Sequence, residues 1–189
     1  MSLKYYADTK DAPLFYLLRQ NIIKTENQLM AFSGSSWQYF PDTGRSTGAY
    51  TIICRGGTIY HVTHVPGPFY QSSAESEYNA ACTAGMDSSN FRMLTHELLN
   101  RDPDIVPEKA PLIILDKNSA VCIDNDGKYT RHTRHIYRRV HFVRNGEKCK
   151  IHKIECCEGG LKLADIATKN VCEDDLNTRM KYILVRLDN

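Results

Sequence analysis

The chain has no long apolar stretch: its longest runs, such as Pro111 to Leu115, fall far short of the ~18–20 residues a membrane-spanning helix requires. No membrane association is expected. Met1 to Lys10 lacks the basic start, apolar centre and small-residue cleavage site of a secretory signal, so the expected location is the cytoplasm or nucleus. Charge of one sign is also lacking, because 24 Lys and Arg stand against 22 Asp and Glu, for a net charge of +2. The global balance therefore does not call for a polyanionic partner, and any electrostatic signal has to be local. There is no internal repeat, no low-complexity tract and only one Trp, Trp37. The seven cysteines lack the spacing of a disulfide framework, and in a reducing compartment they act as small hydrophobes. Cys149, His152, Cys156 and Cys157 form the one group with soft and imidazole donors close together. In an extended strand, however, Cys149 and His152 point to opposite faces, as do Cys156 and Cys157, which argues against zinc.

What remains is enough for one domain, since 189 residues can bury a core without disulfides or structural metal. Asp11 to Arg19 reads as a short helix, the remnant of a preceding segment. An extended region starts at Leu29, and Gly48 to Cys54 and Thr58 to His64 read as strands around a Gly56-Gly57 turn, together an antiparallel meander. Ser72 and Ser73 offer caps for a long helix over Ala74 to Arg101, with an interruption expected near Asp87-Ser88-Ser89. An apolar strand, Leu112 to Leu115, ends in Asp116. A short helix over Asn118 to Ile123, a helix over Arg131 to Arg144, a strand over Lys150 to Cys156, and helices over Leu161 to Lys169 and Asp174 to Leu187 complete the pattern. Strands followed by strand–helix units indicate an α/β domain with a mixed sheet.

Hydrolysis of a phosphodiester by an in-line water is served by two magnesium ions held by a few carboxylates from separate elements. Glu77 on the long helix, Asp116 at a strand end and Asp165 at the start of a late helix are the candidates. Lys128 to Arg144 contains six Lys or Arg and no Asp or Glu. On a helix Arg131, Arg134, His135 and Arg138 share one face, suited to phosphates, while Ile136, Val140 and Val143 occupy another. His141 reads as a packed or capping imidazole, His61 and His64 as the polar face of their strand, and Trp37 as a core residue.

Five blocks occur in one order: GRSTGAY from Gly44, QSSAESEYNA around Glu77, ILDKNSAV around Asp116, HTRHIYRRVHFVR from His132 and LADIATK around Asp165. Spanning roughly Phe32 to Lys169, they resemble the ribonuclease H domain at the end of a copia-type LTR retrotransposon Pol polyprotein. The resemblance implies a ribonuclease H-like fold, a five-stranded mixed sheet with flanking helices, over residues 29–189, with 1–28 the connection to a reverse transcriptase domain. It implies metal-dependent cleavage of the RNA strand of an RNA/DNA hybrid, with Glu77, Asp116 and Asp165 as catalytic residues and ligands of magnesium, or of manganese in its place. Glu77 rather than Glu75 matches the family's helix carboxylate, because it directly precedes the aromatic position, here Tyr78. Glu75 reads as a first-turn acid favouring the helix dipole.

The departure from the family lies in FSGSSW, where the first strand should carry an Asp after the serine. Here that position is Gly34, and Ser36 stands where a second acid is common. Neither supplies an anionic oxygen, and Asp42, nearby in sequence, falls in the following turn. The expectation is a copy impaired by loss of its first catalytic Asp, with metal held weakly. The alternatives are a non-catalytic nucleic-acid or protein binding module and a decaying transposon fragment. Expected partners are an RNA/DNA hybrid or other nucleic acid and the reverse transcriptase domain of the same polyprotein.

Overall fold

The computed structural model describes residues 28–40, 42–54, 57–66, 69–70, 72–98, 109–116, 137–157, 163–169, 172, 174–176 and 178–179, with backbone alone for Asp116, Val140 and Cys157. In chain order the elements are β1 (Met30–Phe40), β2 (Arg45–Cys54), β3 (Gly57–His64), α1 (Ser73–Leu98), β4 (Leu112–Asp116), α2 (Tyr137–Lys148), β5 (Lys153–Cys157) and α3 (Asp165–Thr168). The expected helices over Asp11 to Arg19 and Asn118 to Ile123 lie outside the described residues, as does residue 131–136 of the basic segment.

The five strands form one mixed sheet in the order β3-β2-β1-β4-β5. The meander β1–β2–β3 is antiparallel, and β4 and β5 join it in parallel beside β1. Successive side chains of a strand point to opposite faces, so neighbouring apolar residues feed two layers. On one face Ile113 and Leu115 meet Tyr78, Ala81 and Cys82 of α1 and Val143 of α2, while Leu29, Ala31, Tyr50 and Ile52 meet Ala84 of α1. On the other, Phe32, Ile53, Leu112 and Ile114 pack with Leu163, just ahead of α3.

The expected break in the long helix does not occur: α1 runs through Asp87-Ser88-Ser89 without interruption. The hydroxyls there do not compete with the helix but bond back to its carbonyls. Ser88 Oγ donates to Ala84 O (2.6 Å) and Ser89 Oγ to Gly85 O (2.8 Å). Asp87 accepts a hydrogen bond from the Tyr50 hydroxyl of β2. Ser72 caps the helix start by accepting the Glu75 N–H through its Oγ at 3.2 Å.

The basic helix extends beyond the expected Arg144 to Lys148. It closes where Lys150 adopts a left-handed φ of 58°. Ile151 N–H then donates to Gly146 O (2.8 Å) and Lys150 N–H to Glu147 O (3.0 Å), the paired bonds of a Schellman stop. This turn delays β5 to Lys153, three residues after the expected start. Over the expected helix from Leu161 to Lys169, the described helical residues are only Asp165–Thr168.

Candidate functional site

The parallel register of β1 with β4 pairs Met30 with Leu112, Ala31 with Ile113 and Phe32 with Ile114. Two residues farther along each strand stand Gly34 and Asp116, so the position where the family's first acid is expected is level with the acid that ends β4. In open α/β sheets, ligands gather outside the carboxyl ends of parallel strands. Two further elements reach β1 here at consecutive residues. Ser35 Oγ lies 2.5 Å from Ser76 Oγ of α1, in a buried contact. A Cβ placed on Gly34 would lie 3.1 Å from the Ala164 Cβ. Ser76 immediately precedes Glu77, and Ala164 immediately precedes Asp165. Gly34 has no positive φ, so the backbone there accepts any L-residue and its limit is space.

Glu77 is half-buried, and Glu75, in the first turn of α1, is buried. Asp165 faces two cations: Lys169 Nζ at 2.8 Å, one helical turn on, and Arg179 at 3.7 Å. Lys169 was legible as an i,i+4 partner, whereas no local pattern pointed to Arg179. Among the described residues no three His, Cys, Asp or Glu are grouped to hold a metal ion; the Asp116 carboxyl lies outside them.

Of the proposed basic face, Arg138 is described and exposed, while Arg131, Arg134 and His135 lie outside the described residues. The neighbouring Arg139 turns inward. Burial pushes the Tyr70 phenol above its ordinary pKa and raises the Cys82 thiol, and Arg139 opposes both shifts. His141, expected to be packed or capping, is instead exposed and lies against Tyr137. Trp37, expected in the core, is 40% exposed. Its indole N–H donates to Tyr70 O at 3.0 Å, which fixes the ring on the surface. His61 and His64 do not share a face: His61 Nδ1 is 2.8 Å from Thr51 Oγ1 across the ladder, while His64 lies over Gly48.

No sequence-family model and no curated protein sequence matches the chain. Solved structures do. RNase H1 from the halophilic archaeon Halobacterium salinarum superposes with a TM-score of 0.53 at 12% identity, covering 82% of this chain and 98% of its own. The N-terminal ribonuclease H domain of a Mycobacterium tuberculosis protein gives 0.51 at 8% identity, with 82% and 96% covered. An RNase H1 isolated from compost by a metagenomic approach gives 0.51 at 12% identity, with 75% and 92% covered. At such identities the likeness concerns the fold, and the five-stranded mixed sheet in the order above with its helices is a ribonuclease H-like fold.

Proposed function

We propose that this chain is a ribonuclease H-like nucleic-acid-binding domain derived from a copia-type retrotransposon polyprotein, in which cleavage of RNA/DNA hybrids is impaired by loss of the first catalytic Asp. The observation that carries this reading is the meeting around Gly34: it lies two residues beyond the Phe32–Ile114 pairing, as Asp116 does on β4, and against Ala164, while its neighbour Ser35 meets Ser76 on the other face of the strand. Ala164, beside Asp165, thus reaches β1 at the position where the family motif calls for an Asp, and Ser76, beside Glu77, reaches it one residue on, from the face that α1 covers. Glu77, Asp116 and Asp165 are the remaining candidate ligands.

The donors present fit a magnesium pair poorly. Gly34 offers no side-chain oxygen, and Asp165 is already faced by Lys169 and Arg179. A carboxylate bridging two divalent ions both fixes their separation and offsets their charge, and a serine hydroxyl does neither. The cations around Asp165 favour the reading in which the fold binds nucleic acid, through Arg138 and the neighbouring Arg131, Arg134 and His135, more than it cuts. The reverse transcriptase domain of the same polyprotein is the proposed partner in cis, joined through residues 1–28, with residues 29–189 forming the ribonuclease H-like unit in an intracellular setting.

The test is a magnesium-dependent cleavage assay on an RNA/DNA hybrid, comparing wild type, Asp116→Asn, Gly34→Asp, and Gly34→Asp with Asp116→Asn. Loss of one preorganised electrostatic group costs ~100–1,000-fold in rate. Wild type is expected to cut poorly or not at all, Gly34→Asp to gain activity, and the double variant to lose that gain. Robust wild-type turnover abolished by Asp116→Asn would overturn the impairment.

A further inference from the structure

The side of α2 bearing Tyr137 and His141 is concave. Tyr137, Arg138, His141, Phe142, Asn145 and Ile151 line an open groove of about 400 Å³, within the size range of small-ligand sites. Tyr137 and His141, one helical turn apart, lie with ring centroids 5.4 Å apart and planes inclined by 58°, forming an angled aromatic ledge in which one ring can present its face and the other its edge. Tyr137 is 43% exposed and His141 is exposed as well, so the ledge faces solvent rather than the core. Phe142 anchors the floor. Its ring lies 5.6 Å from that of His152, which is itself buried and bonded through Nε2 to Val143 O at 2.9 Å. Asn145, a turn beyond His141, brings an amide with both donor and acceptor character, and Arg138 stands beside the ledge with its charge exposed.

The charge around the groove selects the occupant. Among the described residues of this segment, Arg138, Arg139, Arg144, Lys148 and Lys150 are basic, and Glu147 is the only acid before Lys153. An aromatic ledge flanked by cations suits a base joined to a phosphate backbone. A duplex keeps its bases stacked inside, so only an unpaired nucleotide can enter.

We propose that this groove takes an unstacked base of a single-stranded nucleic acid, with Tyr137 as the stacking face, His141 against it edge-on, Asn145 at the base edge and Arg138 on an adjacent phosphate. The assignment rests on the nucleic-acid-binding reading above but not on the carboxylates or on catalysis. It gives that reading a specific preference, for strands with unpaired nucleotides over continuous duplex.

The experiment is a titration of the full chain with an oligothymidylate carrying one fluorescent adenine analogue, alongside a wholly abasic strand of the same length and a blunt RNA/DNA hybrid. Base–aromatic stacking of ~1–3 kcal/mol corresponds to roughly 5- to 150-fold in affinity. Tyr137→Ala should therefore weaken single-strand binding about tenfold or more and abolish the fluorescence change on stacking. Tyr137→Phe, which keeps the ring, should bind as wild type does. Arg138→Ala should flatten the log–log salt dependence by ~0.7, the loss of one phosphate contact on a single strand. The wholly abasic strand, which has no base to stack, should bind wild type and Tyr137→Ala alike. Because Tyr137 and Arg138 are exposed, the variants should fold, and circular dichroism melts check that they do.

Single-strand binding by wild type that Tyr137→Ala leaves unchanged, with a silent fluorophore, would overturn the groove assignment while leaving nucleic-acid binding intact. Binding of neither single strand nor hybrid would overturn both. Retention of the reverse transcriptase domain by wild type but not Tyr137→Ala, without single-strand binding, would assign the groove to a protein and overturn the proposal.

Discussion

The two faces of the sheet are covered on different terms. One carries the 26-residue helix α1 together with α2, and its strand residues Ala31, Ile52, Ile113 and Leu115 are almost wholly buried. Among the described residues the other face packs on Leu163 at the entry to a four-residue helix. A long helix presents several turns to a sheet and fixes it through many contacts, whereas a short one contributes one or two side chains. The candidate site lies where this second face meets β1, at Gly34 and Ala164. The first face thus buries α1 and α2 against the sheet, while the second sets how much room a catalytic side chain at Gly34 of β1 would have.

Truncating one fully buried aliphatic side chain on each face tests this contrast. Loss of a core Leu or Ile to Ala costs ~2–5 kcal/mol, and less where the surroundings can collapse. Ile113→Ala, hemmed between α1 and α2, is expected near the top of that range, and Leu163→Ala near the bottom because a short helix can settle onto the strands. Urea unfolding of the two variants gives both values. Equal costs would mean that the two covers are equally rigid.

A tighter point on the helical face sharpens the comparison. Gly146, in the last turn of α2, is buried directly against the His152 ring, and a Cβ there would fall onto that ring. On helix propensity alone Gly146→Ala should stabilise by ~1 kcal/mol. The expected result has the opposite sign, a loss of ~1–3 kcal/mol from overpacking, with His152→Ala in the same chain giving back part of it. Thermal melts of the two single variants and the double variant form the required cycle. Non-additivity is the signature of direct contact.

Much of this architecture was legible in the sequence, because strands declare themselves by apolar alternation between turn residues. The five-stranded mixed sheet and the flanking helices follow from such patterns together with the motif order. What escaped depended on partners distant in the chain. Asp87-Ser88-Ser89 has the composition of a break, yet α1 continues because Asp87 is engaged by Tyr50 of β2 and the serines by their own helix. Trp37 looked like core by its type. It lies instead within the irregular stretch of β1 between Ser36 and Phe40, where the register with β2 shifts and Tyr70 O supplies its partner. At the candidate site the absence of an acid at position 34 is plain in the sequence. The approach of Ala164, which decides whether an acid could be put back, required the packing of α3 against β1.

The smallest expected effect concerns the same histidine on the well-covered face. His152 is 1% exposed, and burial lowers its pKa below the ordinary value, with Val143 O and Glu147 partly offsetting the shift. Its Nε2 is paired with Val143 O, while Nδ1 has no hydrogen-bond partner among the described residues. A second proton would therefore bring an unpaired N–H and a charge into an apolar setting. In the unfolded chain the ring titrates near its ordinary value of about 6.5. The unfolded state thus binds more protons between the lowered folded pKa and ~6.5, and stability rises with pH across that window. The contribution of His152 is complete above the window and is lost as pH falls through it. His61 and His64, also lowered by burial, act in the same direction. Melts from neutral to mildly acidic pH should show a decline with a slope of at most one proton attributable to His152, and His152→Phe, which keeps a ring but cannot titrate, should flatten it by that amount. An unchanged slope in His152→Phe would mean that the ring is free to accept its second proton in the folded state, and that the helical face is less closed than its packing indicates.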